Sequence, residues 1–148
     1  MALINRSANA VSGALRAVAR KRERYTHDVK AGKHTFTVDE PQSQGGQDLG
    51  PSPQELLAAS LASCTAVTME MYAERKGWDI GAVEVEVEAS YDEGGHIAQA
   101  YALTVTLPAG LDDEQRERLF KVAAKCPVHK VLSGEASIEI SDRLADSA

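Results

Sequence analysis

The sequence predicts an α+β domain built on antiparallel sheet, and two segments carry this prediction. Residues 56–69 (LLAASLASCTAVTM) contain no charged residue, which is typical of a helix that is buried on every face. Residues 82–91 (AVEVEVEASY) alternate small apolar residues with glutamate, which is typical of an antiparallel strand with one face in water. The predicted chain order is ββ–α–ββ–αα–β.

The first part of this order is defined by turn and capping residues. Strands are predicted at 25–30 and 33–39, and residues 41–50 are a loop because of their Gly, Gln, Ser and Pro content. The long helix begins at a capping box, with Ser52 as N-cap and Glu55 at the third helical position. It runs to about Lys76, because the glycine that follows is a natural helix terminator.

The second part follows the same logic. Residues 97–107 form the strand that returns beside 82–91. A second helix begins at Asp112, with Gln115 completing another capping box. Pro127 interrupts this helix, because the proline ring does not fit behind a continuing turn. A short helix restarts there, and residues 136–141 form a last strand with its two isoleucines facing inward.

Length and composition indicate one domain and exclude several partners. The chain has 148 residues, a usual size for a single domain. Its net charge of −6 argues against nucleic acid, because phosphate binding requires a basic surface. No uninterrupted apolar run reaches the ~20 residues of a membrane span. Two cysteines without an export signal predict a cytoplasmic protein, in which they are two buried small side chains or a redox couple.

The domain is predicted over residues 25–141, with a C-terminal tail at 142–148. Residues 1–24 are predicted to be an N-terminal tail or surface segment. Residues 1–22 hold five basic residues and no acid, a composition also found in transit peptides. A surface helix or loose tail is the favoured interpretation over a targeting segment.

The two cysteines occupy different sequence environments. Cys64 lies in the middle of the charge-free helix, where it is either a core residue filling a small gap or a nucleophile. As a nucleophile it needs a cation from elsewhere to lower its pKa, because the helix N-terminus is too distant. Cys126 can cap the short helix, whose free amides favour a negative sulfur. His129 and Lys130 add nearby donors or charge, although a partly exposed helix position is the favoured interpretation of His129.

Neither a metal nor another cofactor is expected. The cysteines and histidines show no Cys-x-x-Cys or His-x-x-x-His spacing. The sequence also has no phosphate-binding loop and no Gly-x-Ser-x-Gly nucleophile motif.

Two motifs in register resemble the OsmC/Ohr family. The first covers residues 39–65 (DEPQSQGGQDLGPSPQELLAASLASCT) and continues through 72–78 (YAERKGW), and the second covers 125–130 (KCPVHK). The Cys-Pro-Val-His sequence places the resemblance in the OsmC-like branch. It implies an OsmC-like fold, with antiparallel sheets packed around a long buried central helix in an intertwined homodimer. Both active sites would lie at the dimer interface.

The resemblance also implies a function in the oxidative stress response, as an antioxidant oxidoreductase. The family reduces organic hydroperoxides with a redox-active cysteine. Cys64 resembles the peroxidatic cysteine, which becomes a sulfenic acid, and Cys126 resembles the resolving cysteine, which forms a disulfide with it. A dithiol, of the lipoyl type in the organic hydroperoxide branch, then reduces the disulfide.

The family's cysteine is activated by an arginine of the N-terminal sheet. Arg24 is the nearest candidate here, and Arg22 is the second. A glutamate ten residues before the cysteine often holds that arginine, but this position is Gln54 and the acid is its neighbour Glu55. Nine residues at 100° each place Glu55 half a turn from the Cys64 face. Glu55 is therefore either a helix cap or the arginine's anchor.

Two other functions remain open at this stage. The first alternative is a non-catalytic OsmC-like protein that binds a small apolar ligand at the dimer interface. The second is a thioesterase of the hot-dog class, which also wraps antiparallel sheet around one long helix. That class needs a catalytic acid on the helix, and residues 56–69 hold none.

Overall fold

The computed structural model describes residues 14–136 and 138–143, and the chain divides into two compact units, Met1–Leu56 and Leu57–Ala148. The regular elements are β1 (Ala17–Glu23), β2 (Thr26–Ala31), β3 (His34–Val38), α1 (Pro53–Lys76), β4 (Glu84–Tyr91), β5 (Ala98–Thr106), α2 (Asp113–Ala123) and α3 (Pro127–Lys130). The predicted α+β class, with antiparallel sheets and one long helix, is confirmed. Of the two predicted tails, residues 1–13 and 144–148 lie outside the described residues, and the limits of the domain stay a prediction.

The N-terminal unit contains an antiparallel sheet in the order β1-β2-β3. The expectation of a helix or loose tail is wrong for residues 17–23, which form β1. Ala17 pairs with Ala31 and Lys21 with His27. Three of the seven side chains of β1 are basic and all but one are exposed, so no apolar alternation indicates a strand. The backbone ladder with β2 forms it instead.

A buried carboxylate organises the loop after β3. Asp39 is only 1% exposed. Its Oδ2 accepts hydrogen bonds from Thr26 Oγ1 at 2.9 Å and from the N–H groups of Gln47 and Leu49, both at 3.3 Å. Its Oδ1 accepts one from the Glu40 N–H at 2.8 Å. Burial raises the pKa of Asp39, but these hydrogen bonds outweigh it and hold the pKa below its ordinary value.

The same loop depends on close backbone approach. A Cβ atom on Gly46 would clash with the carbonyl of Glu40, and one on Gly50 would clash with the carbonyl of Thr37. Both positions therefore require glycine, and the predicted loop over 41–50 is confirmed.

Both predicted ends of α1 are confirmed. The Glu55 N–H donates to Ser52 Oγ at 3.2 Å, and the Ser52 N–H donates to Glu55 Oε2 at 2.7 Å, which completes the capping box. At the other end, the Trp78 N–H donates to the Ala73 carbonyl at 2.9 Å across Gly77. This bond is that of a Schellman motif, which closes the last turn.

The prediction that α1 is buried on every face is wrong for the single chain. One stripe of the helix is fully buried, namely Leu61, Thr65, Met69 and Ala73. Leu57, Val67 and Met71 are 40%, 49% and 55% exposed. An absence of charge predicts that a face must be covered, but it does not reveal whether the same chain covers it.

By length and composition alone, α1 is also apolar enough to cross a membrane. An 18-residue window of it has a mean hydropathy of 1.3. Four charged residues near the ends of the helix (Glu55, Glu74, Arg75 and Lys76) lie in its first and last turns. The core helix of a soluble protein meets the same criterion, so this feature alone does not indicate a membrane protein.

The C-terminal unit packs its core between α1, the β4-β5 pair and α2. The predicted alternation is confirmed, because the glutamates of β4 are exposed while its valines are half-buried. The buried core consists of Met69, Ala73, Ile80 and Leu119. Trp78 packs against this core, and its ring meets Tyr72 edge-on with the centroids 5.7 Å apart.

The end of the chain departs from prediction. The capping box of α2 at Asp112 and Gln115 is confirmed, and α3 begins at Pro127 as expected. However, none of the described residues in 136–141 is in a strand, and Ile138 and Ile140 are 89% and 94% exposed. Their alternation predicts an apolar face, but a strand also needs a neighbouring backbone to pair with, and the described part of the chain does not provide one.

Candidate active site

α1 and the α2–α3 junction bring two thiols together. Cys64, on α1, is half-buried, and Cys126, between α2 and α3, is fully buried at 0% exposure. Both are free thiols, and each side chain perturbs the ionisation of the other. The structure therefore unites the two cysteines that the sequence singles out. Their catalytic roles stay a prediction.

The backbone of Cys126 is held on both sides. Its N–H donates to the Ala123 carbonyl at 3.2 Å, and its own carbonyl accepts from the Lys130 N–H, also at 3.2 Å. Cys126 is the N-cap of α3, with φ −53° and ψ 130°, and Pro127 occupies the first helical turn. Proline has no N–H, so the chain can start a helix here without leaving that donor unsatisfied.

The position of Cys126 favours a negative sulfur. The Cys126 side chain makes no capping hydrogen bond. Burial raises the pKa of Cys126, but the Cys64 thiol, the backbone N–H groups of His129 and Val128 and the Thr65 hydroxyl together lower it below that of an ordinary thiol. His129 thus contributes its backbone amide to this site.

The surroundings of Cys64 act in the opposite direction. Burial raises the pKa of Cys64, and the interaction with Cys126 raises it further. The Val128 N–H and the Thr68 hydroxyl lower the pKa but do not compensate. The proton of the pair therefore favours Cys64, and negative charge favours Cys126.

Two threonines of α1 belong to this site, although the sequence did not single them out. Thr65 is 0% exposed and its Oγ1 donates to the Leu61 carbonyl at 2.8 Å. Thr68 Oγ1 donates to the Cys64 carbonyl at 2.7 Å. A sequence feature that could have identified them is a hydroxyl side chain close to a cysteine in an apolar helix, because a buried hydroxyl needs a hydrogen-bond partner.

The other candidate residues have partners within the N-terminal unit. Arg24, which adopts a left-handed φ of 44°, donates from Nη2 to the Gly45 carbonyl at 2.8 Å. Arg22 forms an ion pair with Asp28. Glu55 completes the cap of α1. Whether any of these residues acts on Cys64 stays a prediction.

Metal-ligand chemistry finds no support in the described ranges. Across residues 14–136 and 138–143, no three His, Cys, Asp or Glu side chains are grouped so that they could hold a metal ion. What the site offers is sulfur chemistry, with one reachable thiol and one buried thiol.

Residues 45–141 match the family model described as OsmC-like protein. The chain belongs to the OsmC-like family. The resemblance carried by the two sequence motifs is thereby confirmed at the level of the family. No curated protein matches the sequence significantly.

Solved structures share this OsmC-like fold. An osmotic stress induced and detoxification response protein from Psychrobacter arcticus has a TM-score of 0.73 and 23% identity, over 80% of this chain and 88% of that one. An OsmC-like protein from Mycoplasma pneumoniae has a TM-score of 0.71 and 19% identity, over 84% and 90%. The organic hydroperoxide resistance protein OhrB of Bacillus subtilis has a TM-score of 0.54 and 24% identity, over 84% and 93%. At these identities the likeness concerns the fold alone.

Proposed function

We propose that this OsmC-like protein is a thiol-dependent peroxidase that reduces organic hydroperoxides. The observation that carries the proposal is the pairing of a half-buried thiol, Cys64, with a fully buried thiol, Cys126. Similar folds include proteins described as organic hydroperoxide resistance proteins from Legionella pneumophila and Bacillus subtilis, which supports the choice of substrate class.

The proposed cycle uses each thiol once. The Cys64 sulfur attacks the terminal peroxide oxygen, the O–O bond breaks, and the products are Cys64 sulfenic acid and an alcohol. The Cys126 sulfur then displaces the hydroxyl from Cys64 and forms a disulfide. A dithiol, possible examples being lipoyl groups, restores both thiols by exchange. The cycle needs neither a metal nor another cofactor.

We further propose a homodimer, in which a second copy covers α1. The exposed apolar residues of the helix need a cover, and the two exposed isoleucines near the C-terminus offer another apolar surface. A second chain is favoured over lipid, because Thr65 and the core residues of α1 already pack inside a folded unit. We place the protein in the cytoplasm, because a working dithiol requires a reducing compartment.

The proposed function is tested by peroxide turnover. Wild-type protein should reduce cumene hydroperoxide when dihydrolipoamide is supplied, and Cys64→Ser should lower this rate at least ~100-fold because the nucleophile is lost. Mass spectrometry after one equivalent of peroxide should show the loss of two hydrogens from the chain. Absence of both turnover and oxidation would favour the non-catalytic, ligand-binding alternative.

The dimer has a separate test. Light scattering at micromolar concentration should give twice the chain mass. Replacing Val67 with glutamate should produce monomers, whereas the same change at Ser90, on the exposed face of β4 that already carries the glutamates, should not. A wild-type monomer would refute the proposed dimer.

A further inference from the structure

The two faces of the N-terminal sheet differ in chemical character. Ala19, Val29 and Phe36 are cross-strand neighbours and make the centre of one face apolar. Successive side chains of a strand point to opposite faces, so the residues next to these three in β1 and β2 belong to the other face. Arg20 and Lys30 lie there, one on each strand. The second face therefore brings basic side chains of two strands beside each other.

A cavity on this second face is lined by three cations. It has a volume of about 280 Å³, and we call it the basic cavity; its lining residues are Arg16, Val18, Arg20, Lys30 and Gly32. Lys30 lies opposite Val18 and is the diagonal neighbour of Arg20. The Gly32 N–H donates to the Arg16 carbonyl at 3.1 Å, which extends the same ladder to Arg16. Diagonal neighbours are within reach of long side chains, so the three charged groups can contact one small ion.

No acid among the described residues pairs with these three cations. On the same face Asp28 forms an ion pair with Arg22, and none of the ion pairs in the described ranges includes Arg16, Arg20 or Lys30. Like charges on neighbouring strands destabilise a sheet. A bound anion would remove this repulsion and would stabilise the folded protein by mass action.

The segment that contains the basic cavity has a charge opposite to that of the whole protein. Residues 16–33 hold seven Lys or Arg and two Asp or Glu, whereas the chain has a net charge of −6. An acidic protein repels anions at long range. An anion must therefore be held by close contacts within this basic segment, and not by the overall field of the protein.

We propose that the basic cavity binds a small anion that carries a phosphate group, either inorganic phosphate or a phosphate monoester. The two guanidinium groups present N–H donors in a planar fork that matches phosphate oxygens, and the lysine adds a third positive charge. A phosphate group carries about −1.5 to −2 charges at neutral pH and offers several acceptor oxygens, so one such group can engage all three cations. A carboxylate, with one charge, would leave part of the cluster unneutralised.

The size of the cavity agrees with a small ligand. Its volume of about 280 Å³ lies just below the ~300–1,000 Å³ that is typical of sites for drug-sized ligands. The lining residues all belong to the Met1–Leu56 unit, and none of them is a candidate residue of the thiol site. The proposed anion site is therefore independent of the proposed peroxidase function, and either can fail without the other.

Isothermal titration calorimetry of the full chain, in Tris buffer at constant ionic strength, measures this binding. Inorganic phosphate and glycerol 2-phosphate are the two probes, and acetate is the control for a singly charged anion. We expect one site per chain with a Kd below about 1 mM for at least one phosphate probe, and binding of acetate that is at least ~10-fold weaker. The probe that binds more tightly shows whether the cavity takes the free ion or an ester.

Single substitutions locate the site. Arg20→Gln and Lys30→Gln should each weaken phosphate binding on the order of 10-fold, because each removes a charged donor. Lys30→Arg keeps the charge and should bind within about threefold of the wild type. Lys33→Gln is the matched control, because it removes the same charge from the neighbouring turn, but Lys33 lines a different cavity together with His34. Its effect on the Kd should be less than about twofold.

Absence of saturable binding to both phosphate probes would overturn this inference. If the protein then cosediments with phosphatidylglycerol vesicles, the basic face is a lipid-binding surface instead. Equal weakening by Lys33→Gln and Lys30→Gln would also overturn it, because diffuse positive charge would then account for the binding. Circular dichroism of every variant checks that a loss of binding is not a loss of fold, and Lys30→Arg provides the same check within the cavity.

Discussion

Each of the two units buries an ionisable side chain, Asp39 in one and Cys126 in the other, and the same kinds of hydrogen-bond donor lower the pKa of both. In the N-terminal unit, Asp39 receives backbone N–H groups and the Thr26 hydroxyl. In the C-terminal unit, backbone N–H groups and the Thr65 hydroxyl lower the pKa of Cys126. In both cases burial opposes ionisation and the donors outweigh it, so the pKa falls.

The two groups differ in the ordinary pKa of a carboxyl and a thiol, and in the presence of a second thiol beside Cys126. A carboxyl group with a lowered pKa is fully ionised at neutral pH and has no further chemistry, so the Asp39 cluster serves to hold a loop. When the pKa of a thiol is lowered towards neutral pH, a larger fraction of the group is thiolate, which is the reactive form. The Cys126 cluster also includes a second thiol, Cys64, whose own pKa is raised by burial and by Cys126. The same kinds of donor therefore support a loop in one unit and, in the proposed cycle, a reactive thiol in the other.

The largest effect that we expect on stability comes from Asp39→Ala. The variant leaves the Thr26 hydroxyl and three loop amides without their acceptor, and the melting temperature should fall by roughly 5–10 °C. Asp28→Ala is the matched control, because this exposed acid of β2 pairs with Arg22 on the surface, and such surface pairs contribute little. Thermal denaturation followed by circular dichroism decides between them, and equal losses would contradict the structural role of Asp39.

Acid titration sharpens the same point. The pKa of folded Asp39 is lowered, so its contribution to stability is present above the unfolded pKa of ~3.9 and is lost as the pH falls through the folded value. Asp39→Asn cannot ionise. The difference in urea midpoint between wild type and Asp39→Asn should therefore be constant near neutrality and should close below about pH 4. A difference that persists at lower pH would show that ionisation is not what stabilises the loop.

A smaller effect is expected from Thr65→Val, which keeps the shape of the side chain and removes the hydroxyl. In a Cys64→Ser background the pKa of Cys126 should rise, and in the otherwise wild-type chain the disulfide step of the proposed cycle should slow about threefold, because less Cys126 is ionised. Thr65→Ser retains the hydroxyl and should restore both values. Equal rates in the valine and serine variants would show that the Thr65 hydroxyl does not influence Cys126.

The smallest effect concerns the helix cap outside both clusters. Glu55→Ala should lower the melting temperature by roughly 2 °C, because it removes the acceptor for the Ser52 N–H. Gln54→Ala is the control, and it should leave the melting temperature unchanged. If Glu55→Ala instead melts normally and reacts with peroxide ~10-fold more slowly, Glu55 anchors the activating arginine and the capping role is secondary.

Much of the fold could be predicted because the signals are local. The capping residues of α1 and α2 and the valine alternation of β4 each act within a few residues. β1 could not be predicted, because its arginines and lysines carry no apolar period and only backbone pairing makes it a strand. The last strand was predicted wrongly, because Ile138 and Ile140 show which face is apolar but not what pairs with it.

The sequence was sufficient to predict which cysteines form the candidate site, but not which of them has the lower pKa. Motif resemblance points to Cys64 and Cys126, and the proline after Cys126 indicates a helix N-cap. Which thiol favours the proton depends on the direction of individual N–H groups and on Thr65, one residue beyond Cys64. The orientation of these groups is set by the packing of α1 against the α2–α3 junction, which no local sequence pattern describes.

The ring of Trp78 gives the molecule a natural optical label. It is the single tryptophan of the chain and packs on Tyr72 beside the buried core of the Leu57–Ala148 unit. Its fluorescence reports on the environment of that unit alone, whereas circular dichroism averages over every helix and strand. Unfolding curves recorded by both signals on one unmodified sample will therefore show whether the unit with the thiols melts together with the rest of the chain or independently of it.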